Sequence, residues 1–552
     1  MKYLLFSSLL VIPFWLYGQG GELPDEQIII QKDRKIVLPE IGKPSEKIVF
    51  SLKPLPKVKQ KYTYREFAFQ LPFLEPKVLP PQWKPEVETA VSNGYARLGA
   101  GNYGSTLFDL YYNSGRQKDY AWGGFIRHQA SANGPVDNSG YSSNDAGAYG
   151  TYFTPNFSLG GELMYSRGRY NFYGYDQDRF QNRKTDSTRQ LLQQVVFRMQ
   201  LESSKRSKKL QYQAGLLVGN IGDRFKASES EIGMDLNGQY RLKDSSKIQI
   251  STDLALLKRS DSSSVNRSLW RFTPEYRFGY KGFQIRAGVQ IAVANEPELD
   301  ETGERYKSNS TGFHVYPRLF LQQDFLEKKL TIFAGVQGGM NKTTLRGTLA
   351  VNPFLAPDVY LRHENQLYDF FIGLKGQQQS QVSYRTQLSF ERLRNQGFLV
   401  NNPQEQEKFL LVYDSSSTRR FSWETEFVYE PAKTAQAGIR FRLIRYGVSS
   451  LEEPWHAPNT ILTLFGRMDL SDRIRLSGEL YTMGGLRGLG PDSGQTIKLK
   501  PMADVQLKGE YFFLKRFSGF LSVHNLLNNK NQRFLYYPTQ GLRIMVGATA
   551  SF

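Results

Sequence analysis

Residues 541–552 read GLRIMVGATASF. Leu542, Ile544, Val546, Ala548, Ala550 and Phe552 share one parity, while Arg543, Met545, Gly547, Thr549 and Ser551 share the other. A period of two is a β-strand with two unlike faces. The stretch alone leaves open whether its apolar face meets a protein core or lipid.

The start of the chain chooses. MKYLLFSSLLVIPFWLYGQG combines one early Lys, an apolar run containing Pro13, and small residues from Gly18 to Gly20. That pattern is a secretory signal peptide, residues 1–20. No later stretch reaches the length of roughly 18 apolar residues that a helical span needs. Any membrane role of the mature chain therefore falls to strands. Composition agrees: aromatics make up 14%, Gly numbers 49, and yet the mean hydropathy is −0.48. Alternating lipid-facing and lumen-facing side chains average in this way.

The chain has no Cys, which removes disulfides and thiolate chemistry, and its five His are scattered. No cofactor or metal is expected. A net charge of +19 on an exported chain points to lipid phosphates and anionic solutes rather than to nucleic acid.

Residues 21–90 hold ten of the 25 Pro, and residues 31–90 hold twelve Lys and Arg against seven Asp and Glu. Proline at this density denies both helix and ladder, so the segment reads as an extended periplasmic tether. Residues 91–552 then form a series of alternating strands. In KIQISTDLALL (247–257), Ile248, Ile250, Thr252, Leu254 and Leu256 share a face opposite Gln249, Ser251 and Asp253. RIRLSGEL (473–480) and ADVQLKGEYFF (503–513) repeat the pattern. They put Arg473, Arg475, Glu479, Asp504, Lys508 and Glu510 on the polar side, as lumen-facing charges.

Ten connections are short and polar, from GRQKD at 115–119 to LKRF at 514–517. Longer ones intervene, such as SANGPVDNSGYSSND (131–145) and NEPELDETGERYKSNS (295–310). Short periplasmic turns alternating with long outer loops mark a membrane barrel. Ten such turns, with both termini on one side, require 22 antiparallel strands. To keep that phase, residues 407–430 are read as one long strand. The last strand then closes on the first, SNGYARLGAGN (92–102).

At YPTQGLRIMVGATASF (537–552), preceded by VHNLLNNKNQRFLY (523–536), the chain resembles the C-terminal end of TonB-dependent receptor barrels of the Bacteroidota type. IIIQKDRKIVLPE (28–40), YTYREFAFQLP (62–72), GYARLGAGNYGS (94–105) and PWHAPNTILTLFGRMDLS (454–471) are similar to other parts of that group. The resemblance implies an all-β, 22-stranded transmembrane barrel in the outer membrane, periplasmic termini, and solute import powered through TonB. It also implies that Phe552, with Ile544 and Leu542, carries the signal read by the outer-membrane assembly machinery. The segment before the first strand is shorter than that family's plug domain, so a full plug is absent.

Other motifs have bland readings. NEPELDETGE (295–304) gathers Glu296, Glu298, Asp300, Glu301 and Glu304 without an EF-hand spacing, and reads as a solvated acidic loop. TMGGLRGLG (482–490) is followed by no helix start, so it is no phosphate cradle. Trp455 in EEPWHAPN (452–459) reads as part of the interfacial aromatic belt. No Ser, His and Asp group assembles a nucleophile, base and orienter, so an enzyme is not expected.

Two functions follow. The first is a transport protein without a full plug, in contact with outer-membrane lipid and lipopolysaccharide. The second is a non-transport accessory or anchoring subunit that docks a periplasmic or outer-membrane partner through its tether.

Overall fold

A computed structural model describes residues 92–552, apart from 116, 118, 176–187, 205–208, 244, 262–263, 300–305, 358, 379–380 and 491–493. The signal peptide and tether of the sequence reading lie outside the described residues.

Twenty-two strands pair antiparallel in one sheet, each with its chain neighbour within the barrel. The first strand, Gly94–Gly101, pairs antiparallel with the last, Arg543–Ser551, so the sheet is closed. At this seam Gly94 donates to the Phe552 carbonyl at 2.7 Å and Phe552 donates back at 2.9 Å. The Phe552 ring lies over Gly94, where a Cβ would stand 2.1 Å from ring Cε2. Only glycine permits that approach. Closure removes the unpaired edge that an open sheet would expose.

The alternation read at the C-terminus separates the two faces of the wall. Ile544, Val546 and Phe552 are exposed outward, whereas Arg543, Met545, Thr549 and Ser551 are buried inward. Leu254 stands between the exposed Met234 and Trp270 on the neighbouring strands. Exposed aromatics gather near the short turns, among them Tyr120, Tyr152, Tyr240, Tyr280, Phe513 and Phe552. An outward apolar band edged by aromatics is a surface suited to lipid. Among the described residues no helix is long and apolar enough to cross a membrane; the barrel crosses with strands.

All ten short turns stand between consecutive strands at one end of the barrel, as expected. The opposite end is less regular than the sequence reading held. Asn102–Gly104 joins the first two strands in only three residues. Residues 295–310 are largely strand, because Phe283–Leu299 and Tyr306–Phe325 continue their pairing as a long hairpin.

Residues 407–430 are not one strand. Phe409–Tyr413 pairs with Gly397–Asn401 inside a long loop, and the barrel strand begins at Thr418. The break is built by Asp414, whose carboxylate accepts from the backbone and hydroxyls of Ser449 and Ser450 and from the Thr418 hydroxyl. Burial pushes this carboxyl up, but those hydrogen bonds outweigh it and hold the group below its usual range. The count of 22 survives because the extra hairpin belongs to the loop rather than to the barrel.

Candidate lumen and loop cap

Strand register brings lumen-facing charges into contact. Arg97, Asp109, Arg127 and Asp145 occupy directly opposed positions on four consecutive strands, alternating in sign. Arg97 meets Asp109 at 2.5 Å and Arg127 meets Asp145 at 3.1 Å. The same opposed geometry pairs Glu162 with Arg198, Asp253 with Arg271, Glu391 with Arg420, Glu424 with Arg442, and Glu426 with Arg440. Their closest approaches run from 2.7 to 3.0 Å. Opposite charges at facing positions stabilise a sheet, and a half-buried charge needs such a partner. Most of the wall is therefore strongly polar with its charge neutralised in place.

The charges singled out from sequence are distributed within this scheme. Arg475 lies opposite Asp469 on one side and Glu510 on the other, and binds Asp469 at 2.6 Å. The Lys508 ammonium stands 3.6 Å from Glu510. Asp504 accepts from the Asn525 backbone at 2.8 Å. Glu479 lies opposite Phe465 and Gln506. Arg473 sits in the turn before Ile474–Gly484, at the short-turn rim rather than on the wall.

At the long-loop end, four loops meet over the mouth. They leave the barrel after its fifth, thirteenth, fifteenth and twenty-first strands, so they converge from three separate sectors of the ring. Phe172, Phe354, Phe409, Phe534 and Tyr537 are buried in one apolar core drawn from all four. Phe354 stacks on Tyr537 at 3.8 Å, and Phe409 stands 5.4 Å from Phe534. Chains reaching a common core from such separated origins must cross the opening, which makes the core a cap.

The cap is tied to the wall. Thr344 accepts from the Gly347 amide at 3.0 Å and so caps the helix Leu345–Val351. Glu229, on the wall, accepts from the Leu345 amide at 2.7 Å and pairs with Arg267 at 2.6 Å. Glu231 holds Lys342 at 2.5 Å and Arg346 at 2.7 Å.

His456 joins three loops. Its Nδ1 lies 2.7 Å from the Leu399 carbonyl, and its Nε2 lies 3.1 Å from the Leu535 amide. The amide can only donate, so Nε2 accepts, and the proton sits on Nδ1 of a neutral ring. Burial lowers the imidazole to about 4; the Leu399 hydrogen bond works against that, and Arg533 works with it. His363, beneath the cap, is lowered to about 3 by burial and by the nearby cations Arg267, Arg271 and Lys342.

Trp455 is a correction. It is buried in a loop core with Phe398 and Val400, not in an aromatic belt, because its loop folds inward over the mouth. Glu296 is also drawn in, accepting from the His363 amide and, at 3.5 Å, from Asn395. Gly485 takes φ +78° in a loop whose Arg487–Leu489 pairs with Thr496–Lys498. Among the described residues no group of His, Asp and Glu is arranged to hold a metal ion. A cleft between residues 135–141 and 533–540 has about 40 Å³, room for a few waters.

No known family profile matches this chain, and no curated protein matches it in sequence. Solved structures share its fold. The ferric-catecholate import receptor Fiu from K12 E. coli aligns with a TM-score of 0.61 at 10% identity, over 84% of this chain and 82% of that one. The FrpB iron transporter from Neisseria meningitidis gives 0.65 at 9% identity, over 83% and 81%. The siderophore receptor PiuA from Acinetobacter baumannii gives 0.63 at 8% identity, over 85% and 82%. At these identities the likeness is one of fold.

Proposed function

We propose that this chain is an outer-membrane transport protein, a barrel of the TonB-dependent receptor type without a full plug, whose mouth is covered by its own loops. The observation that carries the reading is a wide polar lumen inside a lipid-facing wall. A 22-stranded barrel encloses more space than a 16- to 18-stranded porin, which already leaves an aqueous channel. Supporting it, the aligned solved structures include an import receptor, an iron transporter and a siderophore receptor.

In this reading residues 1–20 direct export, residues 21–90 form the periplasmic tether, and residues 91–552 are the barrel. The lipid and lipopolysaccharide of the outer membrane surround the aromatic-edged belt. The assembly machinery reads the terminal strand through Phe552, Ile544 and Leu542. Engagement of TonB falls to the tether. The wall charges Arg475, Glu479, Asp504, Lys508 and Glu510 line the route of the solute, with Arg473 at its rim.

Solute flux into proteoliposomes tests the proposal. Flux through the full chain, raised when the cap is loosened, supports transport. No flux in either state, together with loss of a co-purifying partner on removal of residues 21–88, would favour the accessory-subunit reading instead.

A further inference from the structure

One stretch of the lumen wall inverts the pairing rule. Arg241, Lys247, Arg277 and Arg286 occupy directly opposed positions on four consecutive strands. The row faces inward: Tyr240, Leu242, Ile248 and Tyr276, at the alternate positions, are exposed outward, while Lys247, Arg277 and Arg286 are buried. The row from Arg97 to Asp145 alternates in sign at the same kind of positions. Here four cations stand side by side, where like charges directly opposite destabilise a sheet. Elsewhere among the described lumen-facing positions, like charges face one another only in twos. Two of those pairs are acidic, Asp235 with Asp253 and Asp369 with Glu391, and each has a member bound to an arginine on its other side.

The row continues across an aromatic patch. Arg286 stacks over Phe320 at 4.1 Å, and its Nε and Nη2, though buried, make no hydrogen bond within the described residues. Phe320, Phe333 and Phe371 stack together. Beyond them Lys375 and Arg385 again stand directly opposite one another. Among the described residues, nearby carboxylates cancel this charge only in part. Glu275 is shared between Arg277 at 3.0 Å and Arg318 at 3.2 Å. Asp324 is taken by Gln322 and Thr331, and Glu426 by Arg440.

We infer that this basic row is a lumenal binding site for a small, multiply charged oxyanion bearing phosphate or carboxylate groups. Adjacent cations on neighbouring strands, roughly 4.8 Å apart, are spaced to share the oxygens of one polyanion. Such an anion removes the repulsion that the row otherwise carries. The Phe320 face lies against the Arg286 guanidinium, whose Nε and Nη2 groups are left to donate. The inference deepens the transport reading by naming a solute class, and it rests on that reading only for its role in passage.

The test is calorimetric titration of the full-length protein in detergent, at low ionic strength, with inorganic pyrophosphate and separately with citrate. Three forms are compared: wild type, the double variant Lys247→Gln/Arg286→Gln, and Arg198→Gln, which removes a cation from a neutralised pair elsewhere on the wall. Heat-modifiable migration confirms that each form is a folded barrel. Loss of charge-assisted hydrogen bonds should weaken binding about tenfold or more in the double variant and leave Arg198→Gln near wild type. Tighter binding of pyrophosphate identifies phosphate groups as the preferred chemistry, and tighter binding of citrate identifies carboxylates. No binding of either anion by wild type, wild-type affinity in the double variant, or an equal loss in Arg198→Gln would overturn the site. Binding without solute flux would overturn transport and leave the site standing.

Discussion

Arg97 opposite Asp109 and Arg277 opposite Arg286 show what single residues decide in this molecule. Both pairs sit on inward faces that the two-residue period predicts, yet one neutralises itself and the other does not. Parity was legible in the sequence; partnership was not, because these facing residues lie 9 to 18 positions apart and meet only through register. Arg473 lies one step beyond the wall, because the alternation of RIRLSGEL runs on into a turn that needs no inward face. Parity itself is open to test. Leu254→Arg should destabilise the barrel by roughly 2–4 kcal/mol if that face meets midplane lipid, whereas Ser251→Arg should be tolerated, as measured by urea unfolding in vesicles. Equal effects would mean that the faces are misassigned.

His456 makes a second residue-scale prediction. Its folded value of about 4 lies below the roughly 6.5 of a free imidazole, so the open loop takes up a proton before the closed one does. Cap stability from this residue is therefore complete above about pH 6.5 and is lost as pH falls toward 4, by on the order of 3 kcal/mol. Protection of the amides of residues 448–459, after correction for the intrinsic pH dependence of exchange, should fall between pH 7.5 and 5 in wild type. In His456→Gln it should depend on pH far less; an unchanged dependence would exclude the imidazole as its source.

At the scale of elements, the strands were readable and the loops were not. Each barrel strand carries its own period, and each short turn is a polar break between two such runs, so the order of strands and their closure follow from local text. The cap has no period. Phe172, Phe354, Phe409 and Phe534 come from four separate loops, and nothing local marks them as one core. The Ser run at 415–417 marks the break, which the phase of the turns conceals. The structure reconciles the two by pairing Phe409–Tyr413 outside the barrel.

Two element-scale predictions follow from packing. Phe409 is fully buried, so Phe409→Ala should cost about 3–5 kcal/mol within the cap and raise protease sensitivity of the loops without altering barrel assembly. Loss of the folded barrel would show that cap and wall are one cooperative unit. At the seam, Gly94→Val should hinder closure because its side chain would enter the space of the Phe552 ring. Heat-modifiable migration should fall in Gly94→Val and recover with a second change, Phe552→Ala. No recovery would place the defect elsewhere.

Among the described residues of the molecule as a whole, three physical layers determine what it can do: a lipid-facing belt, a polar wall that carries many opposed ion pairs and a basic row, and a loop core across the mouth. A lumen of this width is useful for passage only if the cover can open. The transport account therefore makes the cap the barrier. The measurement that tests it most directly is single-channel conductance in planar bilayers of the full-length protein against Phe409→Ala/His456→Gln, with heat-modifiable migration showing that both are closed barrels. The account predicts little conductance for wild type and large, frequent openings for the double variant. Equally low conductance in both, with the cap shown by proteolysis to be loosened, would contradict it.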